Sequence, residues 1–148
     1  NSRIKTTHAH QLAMAAVYYS PLQFMFWYDH PSMYKGEPEL EFWKNIQTTW
    51  DDTHVLSGEV GEYIAMTLRS GEEWFVGVMT NNDPRKITIT ADFLQPGKKY
   101  EVQIYEDDDK VNTRTKVRAT TRKKIKAGDT FTFQLKGSGG AAMHFYCP

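Results

Sequence analysis

The chain has one cysteine, no long hydrophobic run and no net charge, and each shortage excludes a class of protein. Cys147 has no partner for an internal disulfide, and no cysteine–histidine spacing typical of a zinc site occurs. No apolar stretch approaches the roughly 20 residues that a membrane-spanning helix needs. The 18 basic and 18 acidic side chains balance. Overall charge therefore gives no reason to expect a nucleic-acid or membrane partner.

What the chain does contain is a composition that supports a folded core. Its 148 residues are 40% hydrophobic and 14% aromatic, which is typical of a globular domain and excludes disorder as a whole. It begins at Asn1 and not at methionine. We expect it to be part of a longer protein.

The first fifty residues follow a helical period. Residues 6–20 place apolar side chains on one helical face, with Thr6 or Thr7 as the N-cap and Pro21 just beyond the end. Residues 38–50 repeat the pattern, with an apolar stripe formed by Leu40, Trp43, Ile46 and Trp50. The intervening run "LQFMFW", residues 22–27, is short and continuously apolar, which predicts a strand buried on both faces.

This helix–strand–helix segment cannot be a domain by itself. A lone central strand leaves both of its hydrogen-bonding edges unpaired, and two helices bury too little surface to offset the entropy of ordering the chain. We therefore expect the rest of its sheet to lie upstream of Asn1.

Beyond residue 52 the period changes to two, the period of half-buried strands. Turn-forming residues separate the alternating runs, and no helical pattern intervenes. The fold class that we predict is mainly β: an antiparallel β-sandwich of seven or eight strands, preceded by the helix–strand–helix segment. The alternating runs are residues 62–70, 72–80, 86–93, 100–106, 115–121, 129–135 and 141–147.

Two stretches carry a family resemblance. "AHQLAMAAVYYSPLQF" and "TTWDDTHVLSGEVGEYIAMTLRSGEEWFVGVMTN" resemble the C-terminal end of glycoside hydrolase family 97. The resemblance implies that residues 1–52 are the last helix–strand–helix elements of a (β/α)8 catalytic barrel and that residues 53–148 are a C-terminal β-sandwich. It implies a parent enzyme that hydrolyses terminal α-glucosidic or α-galactosidic bonds and that is periplasmic or secreted.

The same resemblance implies what this chain lacks. The family's catalytic carboxylates, and the ligands of its calcium ion, come from earlier barrel strands, upstream of residue 1. We therefore expect no catalytic residue, no metal ligand and no cofactor in this chain, and we do not expect it to be catalytic alone. Its implied partners are the upstream barrel and N-terminal domain of the same parent chain. The parent's substrate would be an α-linked oligosaccharide.

One loop is a candidate for the rim of the parent's substrate pocket. "YDHPSMYKGEP" follows the carboxyl end of the predicted barrel strand, the face on which barrel enzymes build their active sites. Asp29, His30 and Tyr34 are the candidate rim residues. The alternative is that Asp29 caps the turn before Pro31 and that His30 is a solvated loop residue.

Three apolar side chains of the second helix, Trp43, Ile46 and Trp50, are candidates for packing between barrel and sandwich. Other clusters favour structural explanations. His8 and His10, two residues apart on a helix, point away from each other and favour capping or surface roles over a shared metal. Asp107–Asp109 is typical of a turn. The basic stretch "RTKVRATTRKKIK" lacks interleaved aromatic residues and indicates a solvated edge strand.

Three functions remain open from the sequence. The chain is a structural part of a hydrolase, a carbohydrate-binding module, or an assembly domain that forms a homo-oligomer. A binding module would need an exposed aromatic row, for which Trp50, Tyr63, Trp74 and Tyr100 are the candidates. Trp74 is in phase with Val76 and Val78, which predicts a core position for it instead.

Overall fold

The computed structural model describes residues 4–24, 30–110 and 115–148. Within these described residues, two α-helices precede eight strands. Helix α1 spans His8–Val17 and α2 spans Leu40–Asn45, with a short 3-10 turn at Pro31–Met33 between them. The strands are β1 Asp52–Glu59, β2 Tyr63–Ser70, β3 Glu73–Thr80, β4 Arg85–Thr90, β5 Tyr100–Glu106, β6 Arg118–Ile125, β7 Thr130–Leu135 and β8 Gly140–Tyr146. Neither helix is long enough to cross a bilayer.

The strands form two antiparallel sheets. Six of them pair in the order β1-β2-β3-β8-β5-β6, and β4 pairs with β7. The prediction of a mainly β, antiparallel sandwich is confirmed, and each of the seven alternating runs overlaps a strand. Strand β1 is an addition, because it lies where the sequence predicted only a boundary between two halves. The division of the chain at residue 52 stays a prediction.

The larger core lies between the two sheets. Alternate residues of the central strands β3, β8 and β5 point toward β4 and β7, as the period of two requires. Trp74, Val76 and Val78 all belong to this core, so the core position predicted for Trp74 is confirmed. From the smaller sheet, Ile89 and Phe133 meet them.

The opposite face of the six-stranded sheet is covered by the helices. Strand β3 is therefore buried on both faces, and from Trp74 to Thr80 every residue is buried. Thr7 is the N-cap of α1, one of the two caps that the sequence predicts, and its side-chain oxygen accepts from the backbone N–H of His10 at 3.1 Å.

The predicted strand at residues 22–27 and the predicted second helix differ from the structure. Leu22–Phe24 do not form a strand, since no described strand pairs with them; the rest of the predicted strand, residues 25–27, lies outside the described residues. Helix α2 ends at Asn45, where Ile46 is already extended. The β-branched Thr48 and Thr49 that follow have low helix propensity, which favours this early end.

Strand β6 is one edge of the larger sheet, and all of its residues except Ile125 are exposed. Cationic side chains occupy half of it: Arg118, Arg122, Lys123 and Lys124. The interpretation of this basic stretch as a charged, solvated edge strand is confirmed. Such charges discourage pairing with another strand.

Candidate functional site

The candidate site is the helix-covered face of the large sheet, where residues distant in sequence meet. Two glycines let α1 lie close to the strands. A Cβ added to Gly77 would lie 2.6 Å from the carbonyl oxygen of Ala13, and one added to Gly140 would lie 2.7 Å from the Cα of His10. Any larger side chain would therefore lift the helix. The small side chains of α1 itself, such as Ala16, complete this close approach.

The start of α1 is tied to the turn between β7 and β8. The backbone N–H of Thr7 donates to the carbonyl oxygen of Ser138 at 3.1 Å. The Nδ1 of His10 lies 3.0 Å from the carbonyl oxygen of Gly139; a carbonyl oxygen only accepts, so this nitrogen carries the proton. Burial lowers the pKa of His10. The helix is thus held to the sandwich by polar contacts at its N-terminus and by apolar packing along its length.

Asp107 completes this junction. Only 7% of the residue is exposed. Its Oδ2 accepts from the backbone N–H groups of Lys136 at 3.2 Å and Gly140 at 3.1 Å. Burial raises the pKa of Asp107, while a hydrogen bond with the side chain of Thr7 and the two backbone donors act in the opposite direction.

The sequence assigned residues 107–109 to a turn, and Asp107 has a further, buried role inside the fold. Asp109 is exposed and pairs with Lys136, and Asp108 pairs with Arg118 at 2.9 Å. Asp107 is different because its partners come from β8, from the turn before it and from the helix cap. These contacts are tertiary, so the local sequence carries no signal for them.

An aromatic cluster fills the space beneath α2. Phe42 is fully buried, with its ring centroid 5.9 Å from that of Phe75 and 5.7 Å from that of Tyr105. Its burial was missed because α2 is only six residues long, too short to fix the phase of the apolar stripe. Trp50 packs edge-on against Phe75 at 5.4 Å.

The three predicted packing residues lie at this cluster. Trp43, Ile46 and Trp50 are partly buried and pack against it. The contacts that the structure describes are made with this chain's own sheet and helices. Their role between this chain and a barrel stays a prediction.

His144 packs against the same cluster. Its ring stacks on Phe75, with 4.3 Å between centroids and 9° between planes. Its Nε2 is 2.8 Å from the Oε2 of Glu73. Desolvation by burial lowers the pKa of His144, and Glu73 only partly offsets this effect. The neutral imidazole is therefore the form that the folded chain favours.

Two of the three candidate rim residues lie within the described part of the chain. His30 and Tyr34 are exposed, and Tyr34 borders an open groove of about 360 Å³ together with Glu41 and Lys44. Asp29 lies outside the described residues. No group of three or more potential metal ligands occurs in the part of the chain that the structure describes. The rim assignment of these three residues stays a prediction.

A second surface feature is an apolar patch beside α1. Leu22 is 70% exposed and Phe24 is 93% exposed, and they line a groove of about 750 Å³. Gln23 fixes this segment to the helix, because its side-chain nitrogen donates to the carbonyl oxygen of Ala15 at 3.1 Å. We call this surface the helix-side patch; its exposed apolar members are Ile4, Met14, Tyr18, Leu22 and Phe24.

Comparison with known proteins gives this arrangement a family. Residues 49–146 match the family model described as "Glycosyl-hydrolase 97 C-terminal, oligomerisation". The chain belongs to glycoside hydrolase family 97. It is 38% identical over 102 residues to a retaining alpha-galactosidase of Bacteroides thetaiotaomicron, a match that covers 68% of this chain and 15% of that protein. The resemblance seen in the sequence is confirmed.

Solved structures extend the match to nearly the whole chain. A glycoside hydrolase family 97 enzyme from Pseudoalteromonas sp. strain K8, in complex with acarbose, superposes with a TM-score of 0.86 at 33% identity; the match covers 97% of this chain and 23% of that one. A beta-arabinopyranosidase superposes with a TM-score of 0.73 at 25% identity, covering 95% and 21%. The present chain therefore spans less than a quarter of the length of each of these relatives.

Proposed function

We propose that this chain is the structural, C-terminal part of an enzyme that hydrolyses terminal α-galactosidic or α-glucosidic bonds, and that it attaches to the catalytic part through its helix-side patch. The observation that carries the proposal is the patch itself. Leu22 and Phe24 are large apolar side chains that face solvent in this chain, next to a helix that is fixed to the sandwich. Contiguous exposed apolar surface of this kind is typical of a protein–protein contact.

The carboxyl groups of Glu72, Asp107 and Asp109 do not favour catalysis within this chain. Glycoside hydrolysis normally needs two carboxyl groups about 5–10 Å apart across the scissile bond. The carboxylate of Asp107 is engaged by backbone donors inside the fold, and Glu72 and Asp109 are exposed and pair with lysines. The proposal places the catalytic carboxylates, and the calcium ion that the family implies, in residues outside this chain. A periplasmic or secreted location is part of the same proposal.

The aromatic side chains also favour a structural role over sugar binding. Trp74 and Tyr100 are buried in the core, and Trp50 packs on Phe75. Tyr63 is partly buried and lies under the guanidinium of Arg85 at 5.4 Å. The four aromatics considered for a stacking platform therefore form no exposed row, which a carbohydrate-binding module of that kind would need.

A second function is favoured by the family model that matches the chain, whose description includes oligomerisation. We propose that the sandwich also contributes to contacts between copies of the enzyme. This function is compatible with the first, because docking to the catalytic part and contact between copies can use different surfaces.

Calorimetry and a hydrolysis assay test the structural role. The 148-residue chain and the full-length protein are each titrated, with calcium present, with malto-oligosaccharides and α-galactosides, and both are assayed for hydrolysis. We expect the full-length protein to hydrolyse one class and the chain alone to give neither saturable heat nor product. Saturable heat from the folded chain would replace the structural proposal with a binding module.

A further inference from the structure

The hairpin that joins β1 to β2 presents apolar side chains where a turn normally presents polar ones. The N–H of Glu62 donates to the carbonyl oxygen of Glu59 at 2.9 Å, and Gly61 has φ +77°, as in a type II turn. Val60, the first central residue of this turn, is fully exposed, with a relative accessibility of 103%, and Val55 on β1 is 61% exposed. Val60 therefore contributes no packing to the fold.

This hairpin is held rigidly in place. Its turn is bonded to the end of β3, since the side-chain nitrogen of Asn81 donates to Gly61 at 3.0 Å and its backbone N–H donates to Glu62 at 2.8 Å. The hydroxyl groups of Ser57 and Tyr63 share a hydrogen bond of 2.8 Å across the two strands. A contact surface that is ordered before association loses little conformational entropy when it binds.

An apolar groove adjoins the exposed valines. It has a volume of about 570 Å³, and Val17, Ile64 and Met79 form part of its wall together with Val55 and Val60. The valines thus border a largely apolar groove, which Glu59, Glu62 and Asn81 also line, and are not isolated exposed residues of the kind that any protein surface carries.

The position of Val55 and Val60 in the chain distinguishes them from the helix-side patch, although the groove beside them and the patch share Tyr18. The family model whose description includes oligomerisation matches residues 49–146. Within that range, Val55 and Val60 are the large hydrophobic side chains that are exposed in the part of the chain that the structure describes. The helix-side patch, at residues 4–24, lies outside the matched range.

The two edges of the large sheet differ in charge. Residues 53–60 contain no lysine or arginine. At the other edge, β6 carries four cationic side chains that would face like charges if β6 paired with a copy of itself. A register shift between Val55 and Ser57 interrupts regular pairing along β1, which favours contact through side chains over a continuous sheet.

We propose that the β1–β2 hairpin and the groove beside it form the contact between two copies of this protein, with Val55 and Val60 as its apolar anchors. The inference rests on the proposed contribution to oligomerisation and names the surface that provides it. The two copies are related by a twofold axis, so that the same hairpin serves on both sides.

Sedimentation velocity of the full-length protein, over a range of concentrations, tests this surface. The variants are Val55→Glu and Val60→Glu, which place a charge in the contact. Val60→Ile keeps the apolar character, and Lys126→Glu changes the charge beyond the opposite edge strand. Because Val55 and Val60 are exposed in the single chain, we expect circular dichroism spectra like that of the wild type.

We expect a dimer for the wild type and for both controls. Loss of a buried valine from each side should raise the dimer dissociation constant by about 100-fold or more in the glutamate variants. A dimer of unchanged affinity in both glutamate variants would overturn the hairpin contact and leave the proposed oligomerisation standing. A wild-type monomer at every concentration would overturn both, so the two failures are distinguishable.

Discussion

The close contact between α1 and β3 depends on the absence of a side chain at Gly77. A Cβ at this position would lie 2.6 Å from the carbonyl oxygen of Ala13, 2.9 Å from the Cβ of Ala16 and 3.1 Å from the Cγ2 of Val17. All three atoms belong to α1, and one of them is backbone, so rotation of a side chain cannot relieve the contact. Gly77→Ala therefore forces the helix away from the sheet.

Two opposing effects determine the sign of this change. Alanine in place of glycine within a strand is intrinsically favourable by about 0.5–1 kcal/mol. Overpacking a rigid contact costs about 1–3 kcal/mol, and occasionally more. Because backbone must move, we expect the upper part of that range and a net loss of about 1–2 kcal/mol. For a chain of this size, that loss lowers the melting temperature by about 2–8 °C.

Urea unfolding followed by circular dichroism measures the effect. The calibrating variant is Ala119→Gly, which removes a Cβ from the exposed strand β6 and should destabilise the chain by about 0.5–1 kcal/mol through intrinsic preference alone. If Gly77→Ala instead proves as stable as the wild type or more so, the helix is not held at the distance described, and this account of the sheet's second face is wrong.

Two further predictions concern the cluster beneath α2. Phe42→Ala should lower the free energy of unfolding by about 3–5 kcal/mol, because the ring is fully buried; Lys44→Ala, exposed on the same helix, should stay within about 0.5 kcal/mol of wild type. Burial lowers the pKa of His144, so the unfolded chain binds a proton that the folded chain resists, and the contribution of His144 to wild-type stability falls as the pH drops below about 6.5. His144→Gln removes this contribution. The stability difference between wild type and variant, measured by urea unfolding, should shift in favour of the variant between about pH 7.5 and pH 5.5, and an unchanged difference would contradict the assignment. Burial raises the pKa of Asp107 and Glu39, which acts in the opposite direction but equally in both proteins.

Alternation along the chain predicts most of the sandwich because one face of each strand meets the main core. The Trp74–Val78 stretch shows this plainly, since its inward side chains are large and turn-forming residues stand on either side of its strand. Strand β6 is displaced from its predicted run, residues 115–121, because Arg118–Lys124 contain no apolar alternation. Pairing with β5 places it instead.

The helix-covered face was harder to predict because its determinants are tertiary. Asp107 resembles a turn residue within an acidic run, and only the distant Thr7 and Gly140 make it part of a buried junction. One local signal was present. A glycine inside a strand, such as Gly77, indicates that another backbone approaches closely, and the partner that approaches is α1.

The central claim is that the helix-side patch docks this chain onto the rest of the enzyme. The most direct test combines Leu22→Glu and Phe24→Glu in one variant and compares it with the wild type. Thermal unfolding is measured in the 148-residue chain and in the full-length protein. Both side chains are exposed in the chain, so its melting temperature should be unchanged, whereas the full-length protein should lose stability and activity together. Equal melting temperatures for variant and wild type in both proteins would contradict the claim.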